Sequence, residues 1–297
     1  MIWLFVGACS EQSALEDTAS SSAIEQGSSW KNGFCEEPEI SGEPVGQVDC
    51  QNDRCRISAG EFWMGSAYSI DECPVRSVTL DEYWIDAKEV SINQWNICKQ
   101  FGSCTEIPTH CQNWNEARED YSSNLPINCV TWEQAQDYCS WSGGRLPTEA
   151  EWEKASRGNE GAIWAWGSLS PDCDKANFRL ASIYCYGGST NPVDDFEQSR
   201  SAYGLWNTNG NVFEWTADFY DAQYYQEENN INPTGPIGDC HTSVEGETGV
   251  CQFRVIRGGA YNTTEDVIRS AARSFAEPEL VDLNVGFRCA YSASQRN

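Results

Sequence analysis

The sequence predicts an α+β domain that is rich in loops and held together by disulfides. Three observations lead there. Short apolar alternations bounded by Gly or Pro mark strands. Three capping boxes mark helix starts. The chain of 297 residues carries 15 cysteines, spread along its length rather than grouped as C-x-x-C, with only two histidines, His110 and His241. That pattern excludes a zinc array and points to disulfides and an oxidising compartment. Charge narrows the function classes. With 19 basic and 45 acidic residues the net charge is −26, so the surface repels nucleic acid and anionic lipid and favours divalent cations.

Taken in order, the chain opens "MIWLFVGACS". Ile2 to Val6 are apolar, and Gly7 and Ala8 place small residues before Cys9, which resembles the end of a bacterial lipoprotein signal with Cys9 as the lipidated residue. Setting Cys9 aside leaves 15 − 1 = 14 cysteines, an even number. Residues 10–33 are Ser-, Glu- and Gln-rich and predict a flexible linker. Residues 34–55 predict a small appendage stapled by Cys35, Cys50 and Cys55. The main domain spans 56–292, with a tail at 293–297. No stretch after the opening approaches the ~20 apolar residues of a transmembrane helix.

Within the main domain, "RISAGEFWMGS" and "RSVTLDEYWIDAKEV" predict strands. Ser91 with Gln94 opens a helix that ends near Gly102. Thr131 with Gln134 opens a second, with Trp132, Ala135, Tyr138 and Cys139 on one face. Thr148 with Glu151 opens a third, with Trp152 and Ala155 inward and Gly158 as the stop. Each cap contributes about 1 kcal/mol. From Gly158 to Thr248 the composition predicts mostly loop, which needs extra ties. Cys173 with Cys185 and Cys240 with Cys251 are candidate local closures, as are Cys98 with Cys104 and Cys111 with Cys129. Strands return in "FRVIRGG" and "VGFRCAY". The stretch "GGAYNTTEDVIRSAARS", Gly258 to Ser274, has a glycine pair, an acidic loop and arginines, yet no cysteine, histidine or lysine.

Five blocks in order, "GEFWMGS", "LDEYWIDAKEVSINQW", "VTWEQAQDYCSWSGGRLPTEAEWEKASRG", "YGLWNTNGNVFEWTADFY" and "RVIRGGAY…SAARS…NVGFRCAY", resemble the formylglycine-generating enzyme (sulfatase-modifying factor) family over Cys55 to Ser292. The resemblance implies a variant of the C-type lectin fold. It implies that active members bind copper(I) through two cysteines shortly after the glycine pair and oxidise a substrate-peptide cysteine to formylglycine. Here that segment, Ala260 to Ser270, is shorter and has no thiol, and Ala260 stands where the family has serine. Asn262, Thr263, Thr264, Glu265 and Asp266 offer hard oxygens, which are poor copper(I) ligands, so copper is not expected. The other iron-dependent branch of the family, with its histidine-rich site, is excluded by the two histidines.

The resemblance also implies a calcium site in "NTNGNVFEW", from the side chains of Asn207 and Glu214 and the carbonyls of Gly210 and Val212. Calcium takes ~6–8 oxygens, and a Gly-containing turn can supply them. A second family calcium site starts at Asn177 and Phe178, but its aspartate position falls near Cys185. Cys139 and Cys289 match a family disulfide. Arg145, Arg257, Arg273 and Arg288 fit ion pairs inside a loop-rich core, and Trp63, Trp84, Trp132, Trp152 and Trp215 fit the core itself. The "NTT" at Asn262 also matches a glycosylation sequon.

The expectation is a cell-envelope protein, lipid-anchored in a bacterium, that binds or scaffolds without catalysing. Its groove would be formed by Ala260, Tyr261, Asn262, Thr263, Thr264 and Asp266. The expected partner is a protein or peptide, or a glycan, with no nucleic acid, and contact with membrane only through the N-terminal lipid. The alternatives are a copper-dependent formylglycine-generating oxidase and a structural part of an envelope complex.

Overall fold

The computed structural model describes residues 34–116, 123–227, 229–241 and 248–294. Cys9 and the linker lie outside the described residues. The strands and helices run β1 (Cys50–Gln51), β2 (Arg54–Ile57), β3 (Gly60–Met64), β4 (Arg76–Leu80), β5 (Tyr83–Asp86), α1 (Ile92–Gln100), α2 (Thr109–Glu116), α3 (Trp132–Trp141), α4 (Glu149–Arg157), β6 (Arg179–Leu180), β7 (Ile183–Tyr184), β8 (Phe213–Phe219), β9 (Asp239–His241), β10 (Thr248–Val250), β11 (Arg254–Arg257), β12 (Arg273–Ala276), β13 (Val285–Gly286) and β14 (Ala290–Ser292).

Two four-stranded sheets carry the fold, ordered β1-β2-β5-β14 and β12-β11-β8-β13. Pairing is antiparallel except between β13 and β8. Hairpins β3-β4, β6-β7 and β9-β10 stand apart from them. β8 forms where the composition predicts a turn followed by loop. Its residues alternate apolar and polar from Phe213 to Phe219, yet burial does not follow the alternation, because Phe213 to Thr216 and Asp218 are all buried. The strand is covered on both faces, so its polar positions Glu214 and Thr216 find their partners inside the protein. α2 is a further helix, not predicted from the sequence.

All three predicted capping boxes form, at Ser91–Gln94, Thr131–Gln134 and Thr148–Glu151. α4 departs from the expectation of one inward face, because all nine of its residues are buried. It lies against β3, β8 and β11, so its charged residues must find partners inside. Glu149 accepts from Arg273 (Nε, 2.8 Å) and Arg257 (Nη1, 3.2 Å). Glu153 accepts from Arg257 (2.5 Å), Arg157 (2.9 Å) and the Gly65 amide (2.7 Å). Lys154 donates to the carbonyls of Ser58 (2.8 Å) and Gly60 (2.9 Å).

Burial pushes the Lys154 ammonium down to about 8. The sign follows. Between pH 8 and 10.5 the unfolded chain still holds this proton and the folded chain has lost it, so stability rises with pH across that window. In paired urea titrations the difference between wild type and Lys154→Met is expected to grow in favour of wild type as pH rises. A constant difference from pH 7 to 10 would contradict this.

Seven disulfides join Cys35–Cys73, Cys50–Cys55, Cys98–Cys104, Cys111–Cys129, Cys139–Cys289, Cys173–Cys185 and Cys240–Cys251. The five pairs named from the sequence all form. The stretch from Phe34 to Cys55 is bound into the main body. Cys35 reaches Cys73, the Asn159 amide donates to the Val45 carbonyl (2.9 Å), and β2 pairs with β5. Of the five named tryptophans, Trp84, Trp152 and Trp215 are buried, while Trp63 and Trp132 are half-buried.

Candidate functional site

Three left-handed residues shape the turn that leads into β8: Asn207 (φ 54°), Gly210 (φ 99°) and Asn211 (φ 64°). Asn tolerates this region, whereas at Gly210 a Cβ would sit 2.4 Å from the Asn177 carbonyl oxygen, so only Gly fits. The turn is pinned from outside. The Gly210 amide donates to the Gly258 carbonyl (2.7 Å) and the Asn211 amide to the Asn177 carbonyl (2.8 Å).

Glu214, the first acid of β8, is fully buried. It takes the Arg288 guanidinium side-on at 2.6 and 2.7 Å and the Trp152 indole N–H at 2.7 Å. A second carboxylate joins it that the sequence reading did not single out. Glu89 lies just before α1, buried, and accepts from the side-chain amides of Asn207 (2.9 Å) and Asn211 (2.7 Å). Burial raises Glu89 to about 8, against the pull of Arg288 and with repulsion from Glu214 adding to it. Arg288 pairs with Glu214 while Glu89 is held by the two amides, so the raised value favours a protonated, neutral Glu89 in the metal-free chain at neutral pH. The donor set is all hard oxygen, which suits calcium and not a soft metal. Glu89 stands between Lys88 and Val90, two residues before the Ser91 N-cap, a charged setting that carries no sequence signal of burial.

At the second family position, the Asn177 side-chain amide donates to the Ser189 carbonyl (2.7 Å) and to Asn191 (2.9 Å), while its oxygen is buried without a partner. The Phe178 carbonyl accepts from the Cys185 amide (3.0 Å), and Cys185 is bridged to Cys173.

The segment after the glycine pair is a tight turn. At Gly259 a Cβ would meet the Ile268 side chain at 2.7 Å. Ala260 and Thr263 are buried, and the Thr263 hydroxyl both accepts from the Ala260 amide and donates to its carbonyl, each at 2.9 Å. These two residues frame the turn. Tyr261, Asn262, Thr264, Glu265 and Asp266 are half-exposed. Thr264 donates to Asp266, and Asn262 accepts from Asn284 (3.2 Å). The far end is anchored by Arg269, which grips Glu72 at 2.7 and 2.8 Å and lies 3.7 Å from the Tyr68 ring centroid. All fourteen cysteines among the described residues are in disulfides, so no described thiolate is available to this turn.

Residues 42–293 match the sulfatase-modifying factor enzyme 1-like domain. The chain belongs to this family. It is 31% identical over 304 aligned residues to the formylglycine-generating enzyme of Streptomyces coelicolor, covering 84% of this chain and 92% of the relative. It is 32% identical over 189 residues to a mouse protein described as inactive C-alpha-formylglycine-generating enzyme 2, covering 58% and 50%. Among solved structures it resembles PvdO from Pseudomonas aeruginosa, with a TM-score of 0.63, 23% identity and coverage of 82% and 97%. That likeness carries the mixed α/β, loop-rich fold.

Proposed function

We propose that this chain is a non-catalytic, calcium-binding member of the sulfatase-modifying factor family that works as a binding or scaffold module outside the cytoplasm. One observation carries the reading. The segment Ala260–Ser270 has no cysteine, and every described cysteine is held in a disulfide. A disulfide cannot act as a thiolate ligand, so copper(I) does not fit the residues present and no oxidative step is derived. The mouse relative described as inactive offers a precedent for a family member without the activity.

Calcium fits the turn before β8. Asn207, the Gly210 and Val212 carbonyls and Glu214 would hold it, with Glu89 as the further carboxylate beside them. The ion would supply charge compensation and rigidity. The face offered to a partner is the half-exposed part of the 260–266 turn, where Tyr261, Asn262, Thr264 and Asp266 present an aromatic ring, amides, hydroxyls and a carboxylate. Such groups suit a protein or peptide, or a glycan. The seven disulfides fit an oxidising compartment, and a lipid on Cys9 would hold the module at the bacterial envelope.

The second reading, a formylglycine-generating oxidase using copper and oxygen on a sulfatase cysteine, is favoured by the 31% identity to the Streptomyces coelicolor enzyme. A thiol titration separates them at the level of ligands. Unreduced full-length Cys9→Ser protein, unfolded in guanidinium, is expected to give no free thiol. Two free thiols per chain would favour the oxidase.

A further inference from the structure

Among the described residues six arginines are buried: Arg76, Arg157, Arg257, Arg269, Arg273 and Arg288. Five of them meet a carboxylate. Arg157 pairs with Glu153, Arg257 with Glu149 and Glu153, Arg269 with Glu72, Arg273 with Glu149, and Arg288 with Glu214. Arg76, on β4 and only 7% exposed, is the exception. Its Nη1 donates to the carbonyls of Glu227 (3.0 Å) and Tyr225 (3.4 Å). Its Nε and Nη2 are buried and have no partner.

Those two nitrogens form the side-on edge of the guanidinium, the edge that takes both oxygens of a carboxylate or oxyanion. A third donor lies beside it. The Tyr224 ring centroid is 5.4 Å from the Arg76 guanidinium carbon, and the buried Tyr224 hydroxyl, whose oxygen lies toward the Gly235 amide, has no acceptor for its proton. The Tyr225 ring, at 4.8 Å, offers its face to the cation. A π face stabilises a cation but accepts none of its in-plane N–H groups. Three donors without acceptors therefore stand around a guanidinium that has no ion pair, whereas every other buried arginine among the described residues has a carboxylate. Buried polar groups in native proteins are paired, and buried charges more strictly so.

We propose that Arg76 and Tyr224 form a binding site for a small oxyanion or carboxylate, held side-on by Arg76 Nε and Nη2 with the Tyr224 hydroxyl as the third donor. The ligand is either a free inorganic oxyanion or the carboxylate of an acidic or C-terminal group brought by a partner. The net charge of −26 disfavours non-specific anion adsorption, so saturable binding reports a built site.

The test is calorimetric titration of the full chain with sodium sulfate, inorganic phosphate and acetate at constant ionic strength. Tyr224→Phe keeps the ring and the packing and removes only the hydroxyl. Arg76→Lys keeps the charge and removes the fork. Folding of each variant is checked by near-UV circular dichroism. One-to-one binding is expected for wild type, weakened about tenfold in Tyr224→Phe and more in Arg76→Lys. Binding of acetate but not sulfate or phosphate assigns the site to carboxylates, and binding of all three assigns it to oxyanions generally. Absence of saturable binding, or binding that Tyr224→Phe leaves unchanged, would overturn the proposal.

Discussion

Replacing Arg257 by Met is expected to prevent the domain from folding. Arg257 is fully buried and donates to four acceptors: Glu149, Glu153 and the carbonyls of Ala271 and Ser270. Removing it takes from Glu149 and Glu153 one of the two guanidiniums that each holds, leaving Arg273 and Arg157 alone beside them, and breaking one buried pair costs about 3–5 kcal/mol. That is a large part of a typical domain stability of about 5–15 kcal/mol. Arg257→Lys is not expected to rescue, because one ammonium cannot span both acids and both carbonyls. Arg145→Met is the control. Arg145 grips Glu151 with equally short bonds, 2.6 Å each, yet its side chain is 42% exposed, so its loss costs only about 1 kcal/mol. Soluble yield and urea midpoints of the three variants decide the matter. Similar stabilities for Arg257→Met and Arg145→Met would show that the network around α4 is not what holds the core.

Chelation of calcium is expected to produce the next largest effect. At a free calcium concentration 100 times Kd, binding to the folded state adds about 2.7 kcal/mol, which for a domain of this size corresponds to roughly 5–10 °C in Tm. Melting in EGTA and then in added calcium should show that shift. It should be lost in Asn207→Ala and strongly reduced in Glu89→Gln. Asn207 and Glu89 touch each other at 2.9 Å, so their effects should not add. Equal melting with and without calcium would mean that the turn is held by its own hydrogen bonds.

The parts of this fold that were legible in the sequence are those set by local chemistry. Capping boxes at Ser91, Thr131 and Thr148 rest on three-residue patterns and form as expected. Near-neighbour cysteines such as Cys98 and Cys104 close short loops. The match of Cys139 to Cys289, 150 residues apart, came only through family resemblance. What stayed hidden depends on burial. β8 alternates apolar and polar over Phe213 to Phe219, but its polar positions are buried as well, and α4 looked amphipathic because its acids and bases resemble a solvated surface. Only the folded chain brings Arg257 and Arg273 from β11 and β12 onto Glu149. Glu89 was hidden for the same reason, since its partners Asn207 and Asn211 lie more than a hundred residues downstream.

At the 260–266 turn, sequence and structure bear on the same point from different sides. The sequence removes the thiols from the position where the family has them. The structure then shows the turn knotted by Thr263 and anchored through Arg269 to Glu72, with every described cysteine engaged elsewhere. A thiolate from another part of the described chain would require a disulfide to open.

The most direct measurement is turnover. The purified full chain, folded and calcium-loaded, is incubated with copper(I), oxygen and a Cys-x-Pro-x-Arg peptide, the substrate type that family resemblance implies. Mass spectrometry then follows the peptide cysteine. The account predicts no conversion to formylglycine under conditions where an active family enzyme converts the peptide fully. Catalytic conversion that requires copper and is abolished by replacing one cysteine of this chain would contradict it.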